Sequence, residues 1–182
     1  PPPVVGEETA VSPPTLSALF HQSDRALLIL GEPGSGKTTT LINLAQELIA
    51  AAESDPEQPI PVIFNLVSWA EKRQAMSDWV VEELTAKYQI PQTLGYEWLN
   101  DDALILLLDG LDETPANYRA ACVTALNQFR QQHGLTGIVI NSRRKAYEAL
   151  ETHLHLGGAY LLQPLTAVQI NAYLTAAGER LS

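Results

Sequence analysis

Residues 31–38 constrain this chain most. They read Gly31-Glu32-Pro33-Gly34-Ser35-Gly36-Lys37-Thr38 and match the phosphate-binding pattern G-x-x-x-x-G-K-[ST] at every fixed position. Such a loop works only between the end of a strand and the start of a helix, and the flanks agree. Leu27-Leu28-Ile29-Leu30 has the length and composition of a buried strand, and Leu41, Leu44, Ala45, Leu48 and Ile49 recur at helical spacing. Gly34 and Gly36 let backbone N–H groups turn inward around an anion, because no Cβ blocks positive φ or close approach. The following helix aims its positive end at the same point. Lys37 adds a charge for the outer phosphates and Thr38 a hydroxyl for a magnesium ion. The nucleotide-binding set is Glu32, Pro33, Gly34, Ser35, Gly36, Lys37, Thr38 and Thr39. Nucleotide binding is the first expectation.

The 182 residues suffice for one domain with a sizeable core. A formal charge of -10, from 21 acidic against 11 basic residues, argues against a nucleic-acid or anionic-membrane surface. The short basic cluster Arg143-Arg144-Lys145 does not reverse that balance. No apolar run approaches the ~20 residues of a membrane helix, and the N-terminal residues lack a signal-peptide pattern. Cys122 is the only cysteine, so an intrachain disulfide is ruled out and a reducing, cytoplasmic setting is expected. His21, His133, His153 and His155 have no partners at metal-ligand spacing.

Residues 1–14 hold five prolines and read as an extended lead-in. Thr15 to Phe20 predicts a short helical turn, followed by a turn over His21–Asp24. The loop helix runs to about Ala52, and an acidic, proline-broken loop then leads to a strand over Ile60–Leu66. Pro61 places that strand at a sheet edge. A helical region from Ser68 ends at Pro91, and a further helical turn over Tyr96–Asn100 faces Trp98 and Leu99 inward. Ala103 to Leu108 is continuously apolar, as a central parallel strand covered on both faces requires. Pro115 opens a helix with Ala121, Cys122, Ala125, Leu126 and Phe129 as its apolar stripe. Gly137–Ile140 is a fourth strand, Lys145–Thr152 a short helix and Tyr160–Gln163 a fifth strand. Ala167, Ile170, Leu174 and Ala177 mark a last helix capped by Thr166. This alternation predicts an α/β fold with a parallel sheet and ligands at the carboxyl ends of its strands.

Asp109-Gly110-Leu111-Asp112-Glu113 lies at that rim. Asp109, closing the apolar strand, suits magnesium opposite the Thr38 hydroxyl. Asp112 or Glu113 could orient or deprotonate an attacking water. The bland alternative is that both merely begin the next helix, where acids are favoured. Arg143, just past the fourth strand, suits the terminal phosphate; a solvated loop is the alternative. The sequence leaves open which of Asp112 and Glu113 handles water and which of Arg143 and Arg144 faces inward.

These motifs resemble those of NACHT domains. Gly31–Thr39 with Leu41 is similar to the family's first motif, Leu106–Glu113 to its acidic motif with glycine after the first aspartate, and Asn141-Ser142-Arg143 to its Ser-Arg after strand four. Leu162–Thr166, with Gln169, Ile170, Tyr173 and Leu174, resembles the segment after strand five, and Phe64–Trp69 the second strand of bacterial members. Asn141 stands where Thr is more usual. The resemblance implies a P-loop NTPase three-layer sandwich with a five-stranded, mainly parallel sheet in the order 5-1-4-3-2. It implies a nucleotide-binding domain over residues 15–182, the start of a following helical domain near 166–182, and Pro164 near the adenine. It also implies a slow, magnesium-dependent ATPase switch that exchanges ADP for ATP and self-associates, in a signalling protein whose sensor and effector regions lie outside this chain. The different-class alternative is an ADP-holding interaction module with little or no hydrolysis. A small-molecule kinase fits less well because no Arg-rich lid is evident, and a GTPase because no Asn-Lys-x-Asp segment is present.

Overall fold

The computed structural model describes residues 15–164 and 166–167. The proline-rich lead-in and most of the expected last helix, including Ile170, Leu174 and Ala177, lie outside the described residues. The elements run α1 (Leu16–Gln22), β1 (Ala26–Gly31), α2 (Lys37–Ser54), β2 (Ile60–Asn65), α3 (Trp69–Lys72), α4 (Met76–Tyr88), α5 (Gln92–Asn100), β3 (Leu104–Asp109), a 3-10 turn (Leu111–Glu113), α6 (Ala116–Gln132), β4 (Gly137–Arg143), α7 (Arg144–Glu148) and β5 (Gly158–Leu162).

Five strands form one sheet in the order β2-β3-β4-β1-β5, with every described pairing parallel. Read from the other edge this is the expected 5-1-4-3-2. Pro61 sits on the edge strand β2, where its missing N–H interrupts no second neighbour. The central strands β3, β4 and β1 are buried on both faces, hence their unbroken apolar runs. On one face Leu41, Leu44, Ala45 and Leu48 of α2 pack with Phe20 of α1 against Leu27, Ile29, Ile105, Leu107 and Val139. On the other, α4, α5 and α6 cover Leu28, Phe64, Leu106, Leu108, Ile138 and Ile140. The result is a three-layer sandwich whose core continues through the sheet.

Several boundaries differ from expectation. The helical region after β2 divides at Arg73, whose φ of 52° puts it in the left-handed conformation and ends α3. α1 extends through Gln22, and α7 is shorter than the expected Lys145–Thr152. β4 continues through Asn141, Ser142 and Arg143 rather than stopping at Ile140, which makes the Ser-Arg pair part of the sheet. In α6 Ala121 is exposed, whereas Val123 and Asn127 are buried. Asn127 tolerates burial because Nδ2 donates to His153 O and Oδ1 accepts from His155 N, both at 2.9 Å. Trp98 is half-buried, and Leu99 alone of that pair is fully inside. Cys122 is buried among apolar groups, and that burial pushes its thiol up to about 12.

Candidate nucleotide site

β1 ends at Gly31 and α2 begins at Lys37, so the intervening loop turns over the carboxyl edge of the sheet. Gly34 and Gly36 have φ of 75° and 85°, and a Cβ built on either meets nothing within 4 Å. Both therefore border open space rather than packed protein. No side chain caps α2, which leaves its N-terminal amides to the cleft. Lys37 folds back, its Nζ donating to Gly31 O at 3.3 Å and Glu32 O at 3.0 Å. Within the loop the Ser35 hydroxyl is buried with no hydrogen-bond partner among the described residues.

Parallel register assembles the rest. β3 lies two strands from β1 and ends at Asp109, whose Oδ2 accepts from Thr38 Oγ1 at 3.0 Å. Gly110 then adopts φ of 76° and turns the chain sharply along the rim. Its N–H donates to Asn141 Oδ1 at 2.8 Å, a bond from β4 to the exit of β3. Glu113 Oε2 accepts from Asn65 Nδ2 at 3.3 Å, across from the end of β2. Asp112 is engaged differently: Oδ1 accepts from the Arg143 backbone N–H at 2.9 Å, and Oδ2 lies 3.0 Å from Arg143 Nε. Arg143 stands opposite Gly31 in the β1–β4 register, which puts it beside the loop.

Together these residues line a cleft of about 290 Å³ formed by Pro33, Gly34, Gly36, Lys37, Thr38, Thr39, Asp109, Gly110, Asp112, Glu113, Asn141 and Arg143. Of the expected set, Glu32 and Ser35 support the loop without lining the cleft. Pro164 is exposed two residues beyond β5 and also lies off its wall, although Leu162 pairs with Gly31 at the loop entrance. Arg144 turns outward to Glu148, its Nε 2.7 Å from Oε1, and that pairing raises its pKa. Asn65, Arg119 and the cleft-lining role of Asn141 were not singled out from sequence. Polar side chains ending the apolar strands β2 and β4 were the available signal for Asn65 and Asn141.

The donor set fits a magnesium nucleotide. The Thr38 hydroxyl and the Asp109 carboxylate, already at hydrogen-bond distance, would supply two oxygen ligands, and magnesium usually completes its shell with water and phosphate oxygens. No cluster of three or more His, Cys, Asp or Glu side chains arranged to hold a metal occurs among the described residues.

A sheet of this order with a glycine-rich loop at its carboxyl edge and a cleft lined in this way defines a P-loop nucleotide-binding NTPase module. Solved structures share the fold: the ORC1 protein of Aeropyrum pernix in complex with DNA (TM-score 0.60, 19% identity, 85% of this chain and 44% of that one) and PCH-2 of C. elegans (TM-score 0.54, 15% identity, 87% and 40%). Drosophila ORC bound to DNA is similar at a TM-score of 0.50 and 17% identity, over 92% of this chain and 47% of that one. The chain thus spans less than half the length of each, and at these identities the likeness concerns the fold alone. No curated protein matches the sequence. Residues 25–177 match the NACHT domain family, and the chain belongs to that family. Among the described residues no helix is long and apolar enough to cross a membrane.

Proposed function

We propose that this chain is the ATP-binding, magnesium-dependent switch domain of a signal-transducing NACHT protein, hydrolysing ATP slowly. The observation that carries the reading is the division of labour in the acidic turn. Both acids line the cleft, but Asp112 has both carboxylate oxygens engaged by Arg143, whereas Glu113 is held among the described residues by one 3.3 Å side-chain hydrogen bond from Asn65. Glu113 is accordingly the group to take a proton from the attacking water, while Lys37 and Arg143 offset charge on the terminal phosphate. Thr38 and Asp109 would hold magnesium, which when bound neutralises phosphate charge and orients the phosphate chain.

The same contacts support a second reading, an ADP-holding module with little turnover. Lys37 is bonded to its own loop and Glu113 to Asn65, so both groups must be released before they can act. Single-turnover hydrolysis of ATP separates the two. Under the lead reading wild type releases phosphate above buffer and Glu113→Gln lowers the rate about 100-fold or more, in the range for loss of a general base. No phosphate release from wild type would leave the ADP-holding module. Self-association, and sensor and effector regions elsewhere in the parent protein, complete the proposed switch. The net charge of -10 supports a domain that does not bind DNA directly, unlike the ORC structures, which were solved bound to it.

A further inference from the structure

The acidic turn after β3 is held from two sides. Behind it, Arg119 lies in the first turn of α6, and its Nη2 donates to Asp112 O at 2.6 Å and Thr114 O at 3.0 Å. Arg119 is partly buried, and its Nε is buried with no hydrogen-bond partner among the described residues. In front, the Asp112 carboxylate receives the Arg143 backbone N–H and stands 3.0 Å from Arg143 Nε. The Asp112 side chain is 7% exposed and that of Arg143 54%. The anchor is thus inside and the guanidinium it holds is outside, at the cleft wall.

A guanidinium is planar, so the ion pair at Nε together with the backbone hydrogen bond restricts the directions open to both Nη groups. Neither Nη of Arg143 makes a hydrogen bond or ion pair among the described residues, and Arg143 lines the cleft. We propose that Arg119 and Asp112 are positioning residues, a brace running from α6 through the acidic turn to β4 that presents the Arg143 fork to the terminal phosphate. The proposal rests on the cleft being the nucleotide site. It gives Asp112 a task other than proton transfer and gives the first turn of α6 a mechanical link to the phosphate-sensing arginine. Arg119 touches no substrate. It acts by fixing the backbone that carries Asp112.

The test uses the whole chain and two independent readouts. The first is the side-chain Nε–H resonance of Arg143 by nitrogen-15 NMR without nucleotide. Its chemical shift is expected to report the ion pair with Asp112 in wild type, to move toward the free-arginine position in Arg119→Met and Asp112→Asn, and to return part of the way in Arg119→Lys. The second is affinity for Mg-ATP and Mg-ADP by calorimetry. Arg119→Met is expected to weaken ATP about 10-fold, the equivalent of one charge-assisted hydrogen bond. ADP affinity is expected to stay within about two-fold, a factor below one hydrogen bond. Combining Arg119→Met with Arg143→Ala is expected to add nothing to Arg143→Ala alone. The brace is overturned if the Arg143 resonance is unchanged in Arg119→Met, if ATP and ADP weaken equally, or if the double variant shows the full sum of both effects. Circular dichroism checks folding, and Arg119→Lys carries the comparison if Arg119→Met is unfolded. A wild type that does not distinguish ATP from ADP would refute the switch reading instead, and the NMR readout would still decide the brace.

Discussion

Gly110→Ala tests whether the rim geometry is what orients Glu113. Gly110 sits at φ of 76°, where a residue with a Cβ costs about 1–2 kcal/mol. A Cβ built there would also stand 2.8 Å from Glu113 Oε2 and 3.1 Å from its Cδ, closer than atoms pack, with Asn65 Nδ2 at 3.4 Å. The backbone at Gly110 is tied by its N–H to Asn141, so the flexible Glu113 side chain is the part that gives way. Moving it breaks the 3.3 Å contact with Asn65, worth about 0.5–1.5 kcal/mol. The summed loss is about 1.5–3.5 kcal/mol. Gly34→Ala is the matched control: φ is 75°, and a Cβ there meets nothing within 4 Å, so strain alone applies, at about 1–2 kcal/mol. Urea unfolding without nucleotide, followed by circular dichroism, reads both; the midpoint is expected to fall further for Gly110→Ala, with an unchanged slope. The functional losses should also diverge. Gly34→Ala crowds the phosphate cradle and weakens binding, whereas Gly110→Ala keeps binding and lowers single-turnover hydrolysis. Equal destabilisation of the two variants together with normal turnover by Gly110→Ala would refute the placement of Glu113.

Three further outcomes are expected. Lys37→Ala should weaken ATP binding by about 2 kcal/mol or more through loss of a charge-assisted contact, measured by calorimetry. Asn127→Ala removes the two bonds to His153 O and His155 N, and should lower stability by about 1–3 kcal/mol in a thermal or urea melt without altering nucleotide affinity. Cys122, its thiol pushed up to about 12 by burial, should resist alkylation at pH 8 until the protein is unfolded. The unfolded thiol ionises near the ordinary 9.0, below the folded value, so unfolding should become easier as pH rises above 9.

The sequence by itself determined those features whose physics is local. Leu104–Leu108 is legible as a central strand because a strand covered on both faces has no polar side to show, and it lies buried as expected. Gly34, Gly36 and Lys37 are legible because a phosphate cradle needs particular backbone freedom and a charge within a few residues. Strand order came from family resemblance rather than from the strands' own patterns, which do not encode their neighbours. Tertiary structure alone decided which polar groups meet. Asn65 and Glu113 are 48 residues apart and come together because β2 and β3 pair in parallel register. Asp112 and Arg143, 31 residues apart, meet because β4 runs three residues beyond its apolar stretch. Likewise Asn127 rather than Ala121 faces inward, since its amide finds partners in a loop that helical periodicity cannot anticipate. Apolar burial is summed over many interchangeable contacts and survives compression into a pattern. A hydrogen bond depends on two specific atoms and a register, which exist only once the sheet has formed.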